Sequence, residues 1–155
     1  MSSPVETKVE RRVEVRRVFK AARARVFKAW TDPAIMRKWW CPQDDCHLTS
    51  AEIDLRVNGQ YRLAMSKPGK PGELNVVSGL YTEVVANERV VFTWHWENHP
   101  AEKTTRVTIE FRDAAGGGTE VTLTHVGFPD DNMATEHKKG WTGIFAAFET
   151  QAGSL

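Results

Sequence analysis

The chain has 155 residues, 41% hydrophobic and 26% charged, the composition of a folded domain and not of a disordered segment. Its 21 basic and 20 acidic side chains leave a formal charge of +1, so no global field draws it to nucleic acid or to an anionic membrane. What stands out is the aromatic content: six Trp, seven Phe and two Tyr.

Met1 to Arg17 is charged and has no apolar run, so it does not read as a secretory leader. No stretch approaches the roughly 20 apolar residues that span a bilayer. With Cys41 and Cys46 as the two cysteines, a reduced, cytoplasmic protein is the default expectation. The length fits one domain over residues 1–155, with 1–8 as a flexible N-terminal tail.

Val9 to Phe19 alternates, with Val13, Val15, Arg17 and Phe19 on one parity and Glu14 and Arg16 on the other, which predicts a strand with one wet face. Ala21 to Trp30 places Val26, Phe27 and Trp30 at helical spacing. Asp32-Pro33 interrupts that helix and suits the start of a second short one over Pro33 to Trp39. From His47 the pattern turns to strands. Thr49, Ala51, Ile53, Leu55 and Val57 share a parity up to Asn58-Gly59, a two-residue hairpin signal, and Tyr61, Leu63 and Met65 return. Lys67 to Gly72 reads as a loop, with Lys67 to Glu73 either a lid or a long hairpin connection. Val76 to Ala86 is a strand with apolar residues in both registers.

After a turn at Ala86-Asn87-Glu88, the residues Val90, Phe92, Trp94 and Trp96 share a face. Thr105, Val107, Ile109 and Phe111 do so on the next strand, and Thr119, Val121, Leu123 and His125 on the last, beyond Gly116-Gly117-Gly118. Pro129-Asp130-Asp131-Asn132 supplies caps and negative charge for a closing helix, whose Trp141, Ile144, Phe145, Phe148 and Ala152 form one stripe. The fold class is therefore α+β. About seven strands make a curved antiparallel sheet wrapped on a long C-terminal helix, with two short helices after strand 1.

The segment Arg25-Val26-Phe27-Lys28-Ala29-Trp30-Thr31-Asp32-Pro33, with Arg37-Lys38-Trp39-Trp40-x-Pro42, resembles the first helical segment of the activator of heat-shock protein 90 ATPase-like proteins. These belong to the START-like, or SRPBCC, superfamily with the Bet v 1-type helix-grip fold. Asp54 to Arg62, Ser78-Gly79-x-Tyr81-x-Glu83-Val84, Glu88 to Trp96, Thr124-His125-x-Gly127-Phe128-Pro129 and His137-x-x-Gly140-Trp141 extend the resemblance in order along the chain. It implies a helix-grip fold and one of several functions: ligand carriage, a cyclase or aromatase reaction on a polyketide-like substrate, or a chaperone-associated role. In the full co-chaperone a separate N-terminal domain makes the main chaperone contact. This chain reads directly into the first strand of the grip, which ranks chaperone activation below ligand binding.

A curved sheet gripping a helix leaves a wedge between the layers, and small ligands bind in concave, mostly apolar sites with few polar groups. The candidates from the strands are Tyr61, Met65, Tyr81, Phe92, Trp94 and Trp96. Trp141 and Phe145 come from the closing helix, Trp39 and Trp40 from the helical corner, and Phe128 from the turn after the last strand. His125 joins them as an isolated polar member, either orienting a ligand or serving as a catalytic acid/base. The catalytic role needs a second positioned group, for which Glu83 and His137 are candidates; the alternative is a satisfied histidine anchoring strand to helix.

Cys41-x4-Cys46-His47 offers three metal ligands without a second pair, so no metal is expected. The pairs Arg11-Arg12 and Arg16-Arg17 alternate faces beside Glu10 and Glu14 and read as a solvated strand. The triple glycine precedes a strand and lacks the lysine of a phosphate loop, and no serine sits in a nucleophile elbow. The expected partner is a small apolar or aromatic molecule bound without a cofactor. Homodimerisation and a chaperone contact are secondary expectations; nucleic acid and membrane are not expected.

Overall fold

The computed structural model describes residues 11–40, 47–67, 69–100 and 103–152. Strand β1 (Arg12–Phe19) leads into α1 (Arg23–Ala29) and α2 (Pro33–Trp39). Six further strands follow: β2 (Leu48–Ile53), β3 (Gln60–Lys67), β4 (Lys70–Val85), β5 (Arg89–Trp96), β6 (Thr105–Ala114) and β7 (Gly118–Val126). Helix α3 (Asp131–Ala152) closes the chain. The seven strands form one antiparallel sheet in the order β1-β7-β6-β5-β4-β3-β2. Successive hairpins build β2 to β7, and the α1–α2 corner carries the chain across so that β1 pairs with β7.

Each element has a local cause. Asp32 caps α2 by accepting from the Ala34 N–H, with Pro33 at the first helical position. Asp130 does the same for α3, its Oδ1 taking the Met133 N–H at 2.8 Å. The stripe on α3 is the expected one: Trp141, Ile144, Phe145, Phe148 and Ala152 are its buried residues. Burial of each large member contributes about 1.5–3 kcal/mol, which is what fixes the helix to the sheet. Val13, Val107, Ile109, Phe111, Val121 and Leu123 form the facing layer.

Two local expectations are corrected, and the double register of β4 is explained. Strand β2 stops at Ile53, which pairs with Tyr61, so Asn58-Gly59 is not a two-residue hairpin. Asn58 does take positive φ (69°), but in a turn closed by Gly59 N–H to the Arg56 carbonyl. That turn is strapped to β4 by Asn58 N–H to Tyr81 O and Tyr81 N–H to Gly59 O, which leaves Leu55 and Val57 exposed. Residues read as the loop Lys67 to Gly72 belong largely to β3 and β4, because Lys67 pairs with Lys70 and Gly69 supplies the positive φ of the reversal. On β4 the pairing shifts between Tyr81 and Glu83. Val77 and Tyr81 face inward before this bulge and Val84 packs inward after it, which is why no single parity fits the strand. The proposed N-terminal tail and the cysteine pair lie outside the described residues.

Candidate functional site

His125, on β7, is fully buried with both ring nitrogens engaged. Trp141 on α3 donates its indole N–H to Nδ1 at 2.9 Å, so Nδ1 carries no proton. Nε2–H therefore donates to Thr105 Oγ1 at 2.6 Å, and that hydroxyl in turn donates to the Trp94 carbonyl at 3.3 Å. Burial, with the nearby His137 adding to it, pushes the His125 pKa down to about 2. A neutral imidazole thus ties helix to sheet. Glu83 is paired with Arg89 at 2.7 Å on a half-exposed position, and His137 approaches His125 ring to ring at 5.2 Å, neither of them as a hydrogen-bond partner.

His137 is a second junction, one helical turn before Trp141. Its Nδ1–H donates to the Met133 carbonyl at 2.8 Å. Its Nε2 therefore accepts, and two indoles converge on it: Trp96 at 2.9 Å and Trp94 at 3.2 Å. Burial again lowers the pKa, opposed by the hydrogen bond to Met133.

Beside this junction lies a cleft of about 440 Å³, within the size range of small-molecule sites. Trp94 and Trp96 from β5, Met65 from β3, Trp40 at the end of α2, and Trp141 and Ile144 from α3 form its apolar walls. His137 and Gly140 complete the helix side, sharing a face with Trp141 and Ile144. Ser66, Asn75, Asn98, His99 and Glu136 add polar groups, with Asn98, Glu136 and Gly140 exposed at the rim. The indoles meet at steep angles: Trp94 with Trp96 at 89° and 5.5 Å, Trp40 with Trp141 at 89° and 5.8 Å.

Five of the ligand-binding residues singled out from the sequence are thus brought together, Trp40, Met65, Trp94, Trp96 and Trp141, and His137, named as a candidate partner of His125, lines the same cleft. The others sit elsewhere in the wedge. Trp39 packs on Phe148 at 4.6 Å, and Phe145 packs on Trp30 at 5.3 Å. Tyr61, Tyr81 and Phe92 form their own aromatic cluster. The Tyr61 hydroxyl donates to the Thr93 carbonyl, and burial raises both tyrosine pKa values. Phe128 stacks on His125 at 4.4 Å. The sequence reading missed the polar members of the cleft and Gly140 as a wall. The spacing of His137, Gly140, Trp141 and Ile144 at i, i+3, i+4 and i+7 was the available signal.

Among the described residues there is no cluster of three or more metal-ligating side chains, and His47 is exposed. No described helix is long and apolar enough to cross a membrane.

A seven-stranded antiparallel sheet wrapped on a C-terminal helix, with an aromatic cleft between the layers, defines a helix-grip protein of the SRPBCC class. The chain belongs to the activator of Hsp90 ATPase homolog 1-like family, whose model matches residues 20–152. Solved structures repeat the fold. A protein of Chromobacterium violaceum is 22% identical with a TM-score of 0.78, the match covering 92% of this chain and 96% of that one. A Rhodobacter sphaeroides protein is 19% identical at TM-score 0.80, over 93% of each chain. A Plasmodium falciparum protein described as an HSP90 activator is 21% identical at TM-score 0.72, over 92% of this chain and 96% of that one. At these identities the likeness is one of fold. No curated protein is significantly similar in sequence.

Proposed function

We propose that the protein binds a small apolar or aromatic molecule in the cleft between β5 and α3, without a covalent step. The cleft itself carries this reading: about 440 Å³ walled by four indoles, Met65 and Ile144, with a few polar groups at its margin. Gly140 supports it. A glycine inside a helix costs about 1 kcal/mol relative to alanine, and a Cβ at this position would meet nothing within 4 Å. Packing therefore does not require the glycine, whereas an open cleft mouth benefits from it. A cyclase-like reaction is less well supported, since His125 has Thr105 and Trp141 as partners and does not line the cleft. A chaperone-associated role ranks second, favoured by the family and by the Plasmodium falciparum neighbour of similar length.

The test is a titration with N-phenyl-1-naphthylamine, a neutral fluorescent probe, on the wild type and on Gly140→Leu. Saturable binding to the wild type is expected. In the variant, with unchanged circular dichroism, binding should weaken at least tenfold. Absence of saturable binding, or equal binding by the variant, would remove the cleft as the site.

A further inference from the structure

Given that ligand-binding reading, on which this step rests, the hydrogen-bonding state of the cleft walls constrains the charge of the ligand. Every indole of the wall has its N–H engaged within the protein: Trp94 and Trp96 on His137 Nε2, Trp141 on His125 Nδ1, and Trp40 on the Met65 sulfur at 3.3 Å. The indole donors that could recognise a carboxylate or phosphate are thereby withdrawn. Among the described residues no Lys or Arg lines the cleft, and the acidic side chain they contribute is Glu136 at the rim. Lys139 pairs with Glu136 at 3.6 Å, but both side chains are exposed, at 72% and 61%, so the pair leaves the carboxylate open to competition. Besides the indoles, the described lining consists of a thioether, the Ser66 hydroxyl, the amides of Asn75 and Asn98, the His99 ring and one carboxylate. Indole faces carry negative potential and attract cations.

We infer that the cleft selects a ring-bearing amine, the ring held against the tryptophans and the protonated nitrogen directed toward indole faces and Glu136, and that it discriminates against carboxylates of the same shape. His137 strengthens the discrimination, because its Nε2 is already an acceptor for two indoles and holds no proton with which to meet an anion.

Three probes sharing one ring separate the possibilities by titration calorimetry at pH 8, where free imidazoles are neutral: tryptamine, 3-methylindole and indole-3-propionate. The expected order is tryptamine, then 3-methylindole, then indole-3-propionate, with about tenfold or more between the first and the last. Glu136→Gln, at an exposed position, should weaken tryptamine about two- to threefold and leave 3-methylindole unchanged. Equal affinities across the three, or preference for the carboxylate, would overturn the charge selection while leaving the cleft as a ligand site. If none binds at millimolar concentration and N-phenyl-1-naphthylamine also fails, the ligand-binding reading falls with it.

Discussion

At the scale of single residues, two neutral histidines organise the junction between sheet and helix. His125 joins Trp141 to Thr105, and His137 gathers Trp94 and Trp96. Both have folded pKa values below the ordinary 6.5, chiefly through burial. A base held neutral in the fold but free to protonate when unfolded makes stability fall as pH drops. The contribution is full above about 6.5 and declines toward the folded pKa, about 2 for His125. For His125 the slope is about 1.4 kcal/mol per pH unit once the unfolded form is protonated, or roughly 2 kcal/mol between pH 7.5 and 5. Urea midpoints at pH 7.5 and 5 test this above the range where carboxylates titrate; equal midpoints would show that His125 protonates in place. The inward parity of His125 was legible from its alternation with Thr119, Val121 and Leu123. Its partners were not, because strand periodicity says nothing about which helical residue lies across the wedge.

At the scale of elements, long periodic segments were readable and irregular ones were not. The α3 stripe and the faces of β5, β6 and β7 follow from spacing alone. Strand β4 resisted because a bulge between Tyr81 and Glu83 switches its inward parity, and a bulge has no one-dimensional signature. Beside it, the Leu80 N–H goes to Thr93 Oγ1 at 2.9 Å and the Thr93 carbonyl is taken by the Tyr61 hydroxyl. Gly79 is what lets these strands approach: a Cβ there would lie 2.1 Å from the Thr93 carbonyl oxygen and 2.6 Å from Oγ1. Gly79→Ala must displace backbone and is expected to destabilise by about 1–3 kcal/mol, read as a lowered urea midpoint with an unchanged m-value. An unchanged midpoint would mean that β4 and β5 can part without loss.

At the scale of the whole molecule, the six tryptophans answer whether the wedge is plugged or lined, and the two ends differ. Trp30 and Trp39 join Phe19, Phe145 and Phe148 in a solid aromatic block, with ring centroids 4.6 to 6.0 Å apart among the contacting pairs. Trp40, Trp94, Trp96 and Trp141 surround the cleft. Composition could count these rings and the helix-grip pattern could place them near the wedge. Only packing divides them, because Trp39 and Trp40 are adjacent in sequence yet serve different ends. A ligand in the cleft should therefore stabilise one end only. Hydrogen exchange of the tryptamine-bound protein should slow amides in the Glu136–Ile144 segment of α3 and at the Trp94–Trp96 end of β5, with rates in α1 unaltered. Protection extending into α1 would mean that the aromatic block opens to admit the ligand, and the filled half of the wedge would then belong to the site.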